Sequence, residues 1–297
     1  MLSDCSSFTV DQYNRDQLTH GTTAFPAACY LDVLGENSVS WHWHEELEAV
    51  FVAKGDALVG IGSETYKFSA GTGFFINSGV LHSYQSASDT VCHLHAFLFH
   101  HRLIGGSPES IFHQKYVLPL LENKSKEYFY LNADETWQSD ALRAIEKSWQ
   151  LCVKEPVNFE LQIRSVLSEL MAVLCSHMPI EQAVPDAKSL RNIERLKQML
   201  HFIQHNYAED IHTADIAQSA SVSESECLRC FRTTICTTPI RYLREYRIEC
   251  AAQLLAAKNG RIADVAFQCG FQDVSYFTKT FRELKGCTPK EYQYSGL

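Results

Sequence analysis

The chain has 297 residues, 45% of them hydrophobic and 21% charged, enough for about two domains that each bury a core. Its net charge of −9 disfavours nonspecific adhesion to nucleic acid, and no run approaches the roughly 18 apolar residues of a membrane span, so no membrane partner is expected. Met1 to Cys5 shows no basic region leading into an apolar one, which predicts a cytoplasmic protein. Its eleven cysteines, without framework spacing, are then expected to be reduced, most of them as small buried apolar residues.

From about residue 24 to 99, short apolar runs such as Ala49–Ala53, Ala57–Ile61, Tyr66–Phe68 and Gly73–Ile76 alternate with Gly and Asn turns. This pattern predicts a small antiparallel β-barrel, and we place the first domain at residues 1–112. Within it His42 and His44 stand two apart on a strand and so share a face. Glu48 follows four residues after His44, then Gly55, Gly71, Gly79 and His82. The pattern resembles the two-part cupin motif, with Asn77 where Pro is usual and Ser86 where Asn is usual, departures that weigh against cupin-type catalysis. His42, His44, Glu48 and His82 together offer three nitrogens and one oxygen, a donor set for a divalent metal. The alternative is four satisfied polar residues of the barrel wall. Trp41 and Trp43 are expected on the opposite face. His93 and His95 alternate along a strand whose inward face the sequence leaves open, and His100–His101 reads as a solvated strand end.

Residues 113–182 read as helical, with helices from about 135 to 151 and 158 to 178. In the second, Phe159, Ile163, Val166, Leu167, Leu170, Val173 and Leu174 form one apolar side. That side either pairs two subunits into a homodimer or packs on its own barrel. Residues 183–189 read as a linker and Leu190–Asn206 as the first helix of a third segment, 190–297.

This last segment is +2, with 14 Lys and Arg against 12 Asp and Glu, whereas residues 1–189 are −11. It contains one pattern written twice, from Ile211 to Arg232 and from Arg261 to Arg282. Ala217 aligns with Ala266 and Val222 with Phe271 at an offset of 49, and Arg229 aligns with Lys279 at 50. Each copy predicts a short helix, a tight turn and a longer helix, the helix-turn-helix whose second helix enters the major groove of double-stranded DNA. Thr213 is expected to cap the first short helix, and Ser223 with Glu226 to form a capping box. Gly270 is expected at a turn with positive φ. Thr238–Pro239 opens, and Asn259–Gly260 closes, a linking helix roughly 30 Å long.

Val222, Cys227, Phe231, Phe271, Phe277 and Phe281 form the buried stripes of the two reading helices. Their opposite faces carry Ser225, Leu228, Arg229 and Arg232, then Asp273, Ser275, Thr278, Lys279 and Arg282. Arg229 suits bidentate pairing with guanine, with Lys279 second; Arg232, Arg282 and Lys285 suit phosphate. For each, a solvated surface charge is the alternative. Glu224 and Glu226 are expected to cap their helix. Cys227 and Cys230, three apart without a partner pair, read as core rather than as a metal or redox site.

The segments Arg247–Leu255, Ile262–Ala266, Cys269–Phe271, Tyr276–Phe277, Phe281–Arg282 and Gly286–Tyr292 resemble the signature of the AraC/XylS family of bacterial transcription regulators, over about residues 190–292. The resemblance implies an α+β chain in which an all-α DNA-binding domain follows a cupin-like barrel with a helical dimerisation segment. It implies a small-molecule effector, often a sugar or related metabolite, held by His42, His44, Glu48 and His82, and it places a base-reading residue at Arg229. An operator on double-stranded DNA, a second copy of the chain and, for an activator, RNA polymerase are the implied partners. A metal-dependent cupin enzyme or metal sensor fused to a DNA-binding domain is the competing reading, and a thiol redox sensor ranks below it.

Overall fold

The computed structural model describes residues 2–3, 20–35, 38–62, 64–88, 90–123, 127–177, 187–235, 237–256 and 260–295. The chain divides into two compact units that meet in sequence at Ala187 and Lys188. No described helix is long and apolar enough to cross a membrane.

Among the described residues, the first unit holds ten strands. They are β1 (Leu2–Ser3), β2 (Ala27–Leu34), β3 (Val39–His42), β4 (Leu47–Lys54), β5 (Asp56–Ile61), β6 (Glu64–Ser69), β7 (Gly73–Ile76), β8 (His82–Ser86), β9 (Cys92–Phe99) and β10 (Tyr128–Leu131). The apolar runs of the sequence all lie in strands, because alternating β-branched and aromatic residues fit a pleated, half-buried surface. The strands do not close into one barrel. They form a six-stranded sheet in the order β1-β2-β9-β4-β7-β10 and a four-stranded sheet in the order β3-β8-β5-β6. Pairing is antiparallel wherever registered, except between β1 and β2, which run parallel. Phe74 of the larger sheet meets Phe68 and Tyr84 of the smaller at ring-centroid distances of 4.7 and 5.5 Å, so aromatic side chains join the two sheets.

After β9 come α1 (Arg102–Gly105), a π-helical turn (His113–Val117) and α2 (Leu118–Glu122), and after β10 the longer α3 (Thr136–Lys154) and α4 (Phe159–Ser176). Because β10 pairs with β7, the sheet extends beyond residue 112. Residues 113–177 thus belong to the first unit instead of standing apart. Helices α3 and α4 share one core with the six-stranded sheet: Ile145, Ile163, Leu167, Leu170 and Leu174 pack with Leu47, Phe75, Phe97 and Phe99, all fully buried. The apolar side of α4 therefore faces its own chain and is not presented to a second copy. Each such side chain contributes roughly 1.5–3 kcal/mol on burial. The helices join through Glu155 and Asn158, both with positive φ, which ends α3 and restarts the chain as α4.

The second unit is helical: α5 (Ala187–Asn206), α6 (Thr213–Ser219), α7 (Glu224–Ile235), α8 (Pro239–Ala256), α9 (Ile262–Gln268), α10 (Val274–Lys285) and α11 (Pro289–Ser295). Helix α5 starts three residues earlier than its apolar periodicity suggests, so residues 187–189 are helix; the rest of the expected linker lies outside the described residues. Helix α8 has 18 residues, about 27 Å at 1.5 Å per residue. The Thr238 hydroxyl accepts from the Arg241 N–H at 3.3 Å at its start. Its expected stop at Asn259 also lies outside the described residues.

Candidate functional site

The twofold pattern in the sequence is twofold in space: α6 and α7 form one helix-turn-helix, α9 and α10 the other. Cys227, Cys230 and Phe231 of α7, with Phe277 and Phe281 of α10, are fully buried, Phe271 is nearly so, and Val222 is half-buried. The apolar stripes thus fix which faces turn outward, and the two cysteines are core residues. Ser225, Arg232, Asp273, Ser275, Lys279 and Arg282 are exposed, while Leu228, Arg229 and Thr278 are partly so.

The capping differs from expectation in two places. His212, not Thr213, precedes α6, and its N–H donates to Asp215 at 2.8 Å. At α7 the Ser223 hydroxyl accepts from the Glu226 N–H at 3.2 Å, but the Glu226 carboxylate is taken up by arginines. It accepts from Arg229 Nε at 2.8 Å and Nη2 at 2.5 Å, and from Arg195 Nη1 of α5 at 3.1 Å. Arg229 Nη2 also donates to Asn192 Oδ1 at 3.2 Å. At α10, Asp273 accepts from the Tyr276 N–H at 2.6 Å and so caps the helix whose surface it shares.

Lys285 is the residue the structure removes from the phosphate-binding set. It is 4% exposed and its Nζ donates to Glu249 of α8 at 2.7 Å, because the last turn of α10 rotates it inward. Gly270 has φ +77°, and a Cβ there would lie 2.5 Å from the Tyr207 carbonyl oxygen, so both backbone angle and space require glycine. Arg247 holds the same chain segment from α8, donating to the carbonyls of Tyr207 at 2.6 Å and Glu209 at 2.7 Å. Asn192, Arg195, Glu249 and Arg247 carry no signal of these roles in the sequence, since each depends on a partner 31 to 40 residues away.

In the first unit the fold brings His42, His44, Glu48 and His82 together between the sheets. All four are buried, with exposures of 4, 1, 2 and 0%. His42 and His82 come from neighbouring strands of the smaller sheet, opposite one another in register, and Glu48 from the larger. Each histidine donates Nδ1–H to a backbone carbonyl: His42 to Ser40 at 2.9 Å, His44 to Glu46 at 3.1 Å and His82 to Val80 at 2.8 Å. Glu48 Oε2 lies 3.2 Å from His44 Nε2 and 2.9 Å from His82 Nε2. One ring nitrogen from each histidine falls within 4.8 Å of the other two.

Burial, followed by the adjoining His82 and His44 rings, holds His42 well below the ordinary imidazole value. Burial by itself raises Glu48, but the charge of His82 and hydrogen bonds from His44 and His82 outweigh it and keep the carboxyl well below its usual range. The cluster therefore pairs an ionised carboxylate with a neutral His42. His20, which no motif marked, stands with its ring 5.5 Å from His44 and its Nδ1 2.8 Å from the Tyr30 hydroxyl.

The neighbouring residues explain the departures from the cupin pattern. Asn77 donates to the Leu120 carbonyl at 2.6 Å and so anchors α2, and the Ser86 hydroxyl donates to carbonyls of the turn after β8. Trp41 packs over Gly60 and is half-buried, as is Trp43. His95 stacks on Trp149 of α3 at 3.6 Å and lies 2.6 Å from Glu146, which sets its side of β9 against the helices. His101 is half-buried rather than solvated, and burial with the charges of His100, His113 and Arg102 lowers it to about 4.

Two family models match the chain: an AraC-like ligand binding domain over residues 29–173 and a helix-turn-helix domain over 216–295. The chain is 30% identical over 295 residues to the uncharacterized HTH-type transcriptional regulator YdeC of Bacillus subtilis, covering 97% of this chain and 98% of that one. It is 26% identical over 261 residues to the HTH-type transcriptional activator RhaR of Yersinia pestis, covering 85% and 83%. Among solved structures, apo ToxT of Vibrio cholerae aligns at a TM-score of 0.47 and 14% identity, covering 90% and 97%. With a ligand-binding unit built on antiparallel sheets and a paired helix-turn-helix unit behind it, the chain belongs to the AraC/XylS family of transcriptional regulators.

Proposed function

We propose that this regulator reads a specific operator on double-stranded DNA through α7 and α10, and that a small effector at His42, His44, Glu48 and His82 sets its affinity for that operator. The observation that carries the second half is the enclosed polar cluster itself. Four ionisable side chains at 4% exposure or less are costly to bury, and a stable core needs none of them. Arg229 and Lys279 are the residues assigned to bases. Arg232 and Arg282 are assigned to phosphates, and Ser225, Asp273 and Ser275 complete the facing surface.

The protein acts in the cytoplasm as a homodimer in this reading, since a unit of charge +2 gains both affinity and specificity from two linked copies. As an activator it would also meet RNA polymerase. The sugar or related metabolite implied by family resemblance is supported by the hydrogen-bonding capacity of the cluster. The test selects bound fragments from a genomic library with the full-length protein, then titrates the selected operator with and without candidate effectors. Selection of a common sequence whose affinity shifts at least fivefold with an effector, and not in His42→Ala, is expected. Binding that no effector changes would sink the effector site, and the absence of any selected sequence would sink operator recognition.

A further inference from the structure

We infer that Asn192 of α5 sets how strictly Arg229 selects guanine, by competing with the base for one hydrogen of the guanidinium. The inference rests on the reading that Arg229 faces a base, and it assigns a share of the base choice to a buried residue of another helix.

Donor accounting carries the argument. A guanidinium has five N–H groups, one on Nε and two on each Nη. The Glu226 carboxylate accepts from Nε at 2.8 Å and from Nη2 at 2.5 Å. It thus lies along the side edge of the fork and takes the Nη2 hydrogen that faces Nε. Asn192 Oδ1, 3.2 Å from Nη2, then accepts the outward hydrogen of that nitrogen. No described residue accepts from Nη1.

Guanine is read through two acceptors, O6 and N7, by one hydrogen from each Nη along the far edge of the fork. The Nη2 hydrogen on that edge is the one Asn192 holds. Guanine therefore gains its second bond only by displacing Asn192 from a charged donor, the stronger kind of hydrogen bond. Adenine presents N7 as an acceptor but the N6 amine, a donor, in place of O6. Its N7 takes a hydrogen from Nη1 and leaves Asn192 where it is. The competition falls on guanine alone, so Asn192 narrows the gap between guanine and adenine at this base pair.

The packing keeps the competitor in place. Asn192 is 9% exposed, whereas the Arg229 side chain is 38% exposed, so a fixed acceptor holds a side chain that reaches outward. A guanidinium only donates, hence the amide oxygen of Asn192 and not its nitrogen must face it. The same oxygen accepts from the buried Cys230 thiol at 3.8 Å. Arg195, also on α5, donates to Glu226 Oε1 at 3.1 Å and so steadies the carboxylate that orients Arg229. Two residues of α5 thereby fix the plane and the free edge of a side chain on the reading helix.

The experiment selects duplexes from a library randomised across the binding site, using the full-length protein, and sequences them to obtain the base preference at each position. The base pair whose preference disappears in Arg229→Ala is the one Arg229 reads. There Asn192→Ala is expected to raise the guanine-to-adenine ratio about threefold or more, because guanine no longer displaces a hydrogen bond. Asn192→Asp, nearly the same in shape, sets a carboxylate against the same hydrogen and is expected to lower the ratio by about as much. Both shifts should vanish when Arg229→Ala is added. A purely structural role would weaken binding to all sequences alike. An unchanged ratio in both variants, or shifts of the same sign, overturns the inference while leaving Arg229 a base reader. Should Asn192→Ala fail to fold, a ratio that does not fall in Asn192→Asp overturns it. If Arg229→Ala alters no base preference, the reading of Arg229 fails and the inference falls with it.

Discussion

Nε2 of His82 lies 2.9 Å from Oε2 of Glu48, and the two residues belong to different sheets. The contact therefore ties the smaller sheet to the larger at the centre of the polar cluster. Glu48→Ala leaves two buried rings without their carboxylate, and breaking one side of a buried charged pair typically costs about 3–5 kcal/mol. Urea unfolding of the chelator-treated protein at neutral pH should show a loss in this range, and a loss below about 1 kcal/mol would mean that the sheets do not depend on the contact. The pH dependence has one sign. Glu48 is held below and His42 below their unfolded values, so both favour the fold when deprotonated. Stability is full above the unfolded histidine value of about 6.5 and falls with acid, as the unfolded chain takes up protons that the fold holds off, at His42 below about 6.5 and at Glu48 below about 4.3.

Arg229 shares its Nε and Nη2 edge with Glu226 and gives Nη2 also to Asn192. Bidentate reading of guanine through the far end of the guanidinium requires Asn192 to yield, while Glu226 holds the plane. Arg229→Ala is expected to lower the affinity ratio between operator and scrambled DNA by about tenfold or more, the 1–3 kcal/mol of a good bidentate contact. Competition binding at fixed salt measures it, and an unchanged ratio removes Arg229 from the reading surface.

Arg282 is exposed, whereas Lys285 is committed to Glu249. Arg282→Ala should reduce the slope of log affinity against log salt by about 0.9, the signature of one lost phosphate contact. Lys285→Ala should leave that slope unchanged and instead lower the melting temperature of the protein. A reduced slope for Lys285→Ala would return it to the DNA surface.

Gly270→Ala places a Cβ against the Tyr207 and Ala208 carbonyls at positive φ. Strain of about 1–3 kcal/mol should appear as a lower unfolding midpoint, accompanied by weaker operator binding because the turn sets the angle between α9 and α10.

Leu170 is fully buried in the core shared by α3, α4 and the sheet, while Leu161 on the same helix is 69% exposed. Leu170→Glu should unfold the first unit, by about 3 kcal/mol or more for an unpaired buried charge. Leu161→Glu should keep the fold, as read by circular dichroism. Sedimentation of the folded Leu161 variant then reports whether the outer face of α4 contributes to pairing.

Much of this protein is written in local sequence. Helical periodicity, caps such as Thr238 and the repeat at an offset of 49 to 50 residues are short-range signals, and they defined the elements, the paired reading helices and the buried stripes. The two-residue spacing of His42 and His44 likewise predicted a shared face, because a strand alternates its faces, whereas Glu48 reaches them from the other sheet. Tertiary structure decided what depends on distant partners. The strands form two sheets and not one barrel because pairing is chosen among strands far apart in sequence. The periodicity of α4 named an apolar side, but only the packed chain showed that the side is consumed by its own sheet. The rotation of α10 at its last turn turned Lys285 inward to Glu249, and the carbonyls of Ser40, Glu46 and Val80, not any residue type, left the ring nitrogens of His44 and His82 facing Glu48. Residue identity sets which groups are available, whereas backbone hydrogen bonding and packing across the core set which of their atoms remain for function.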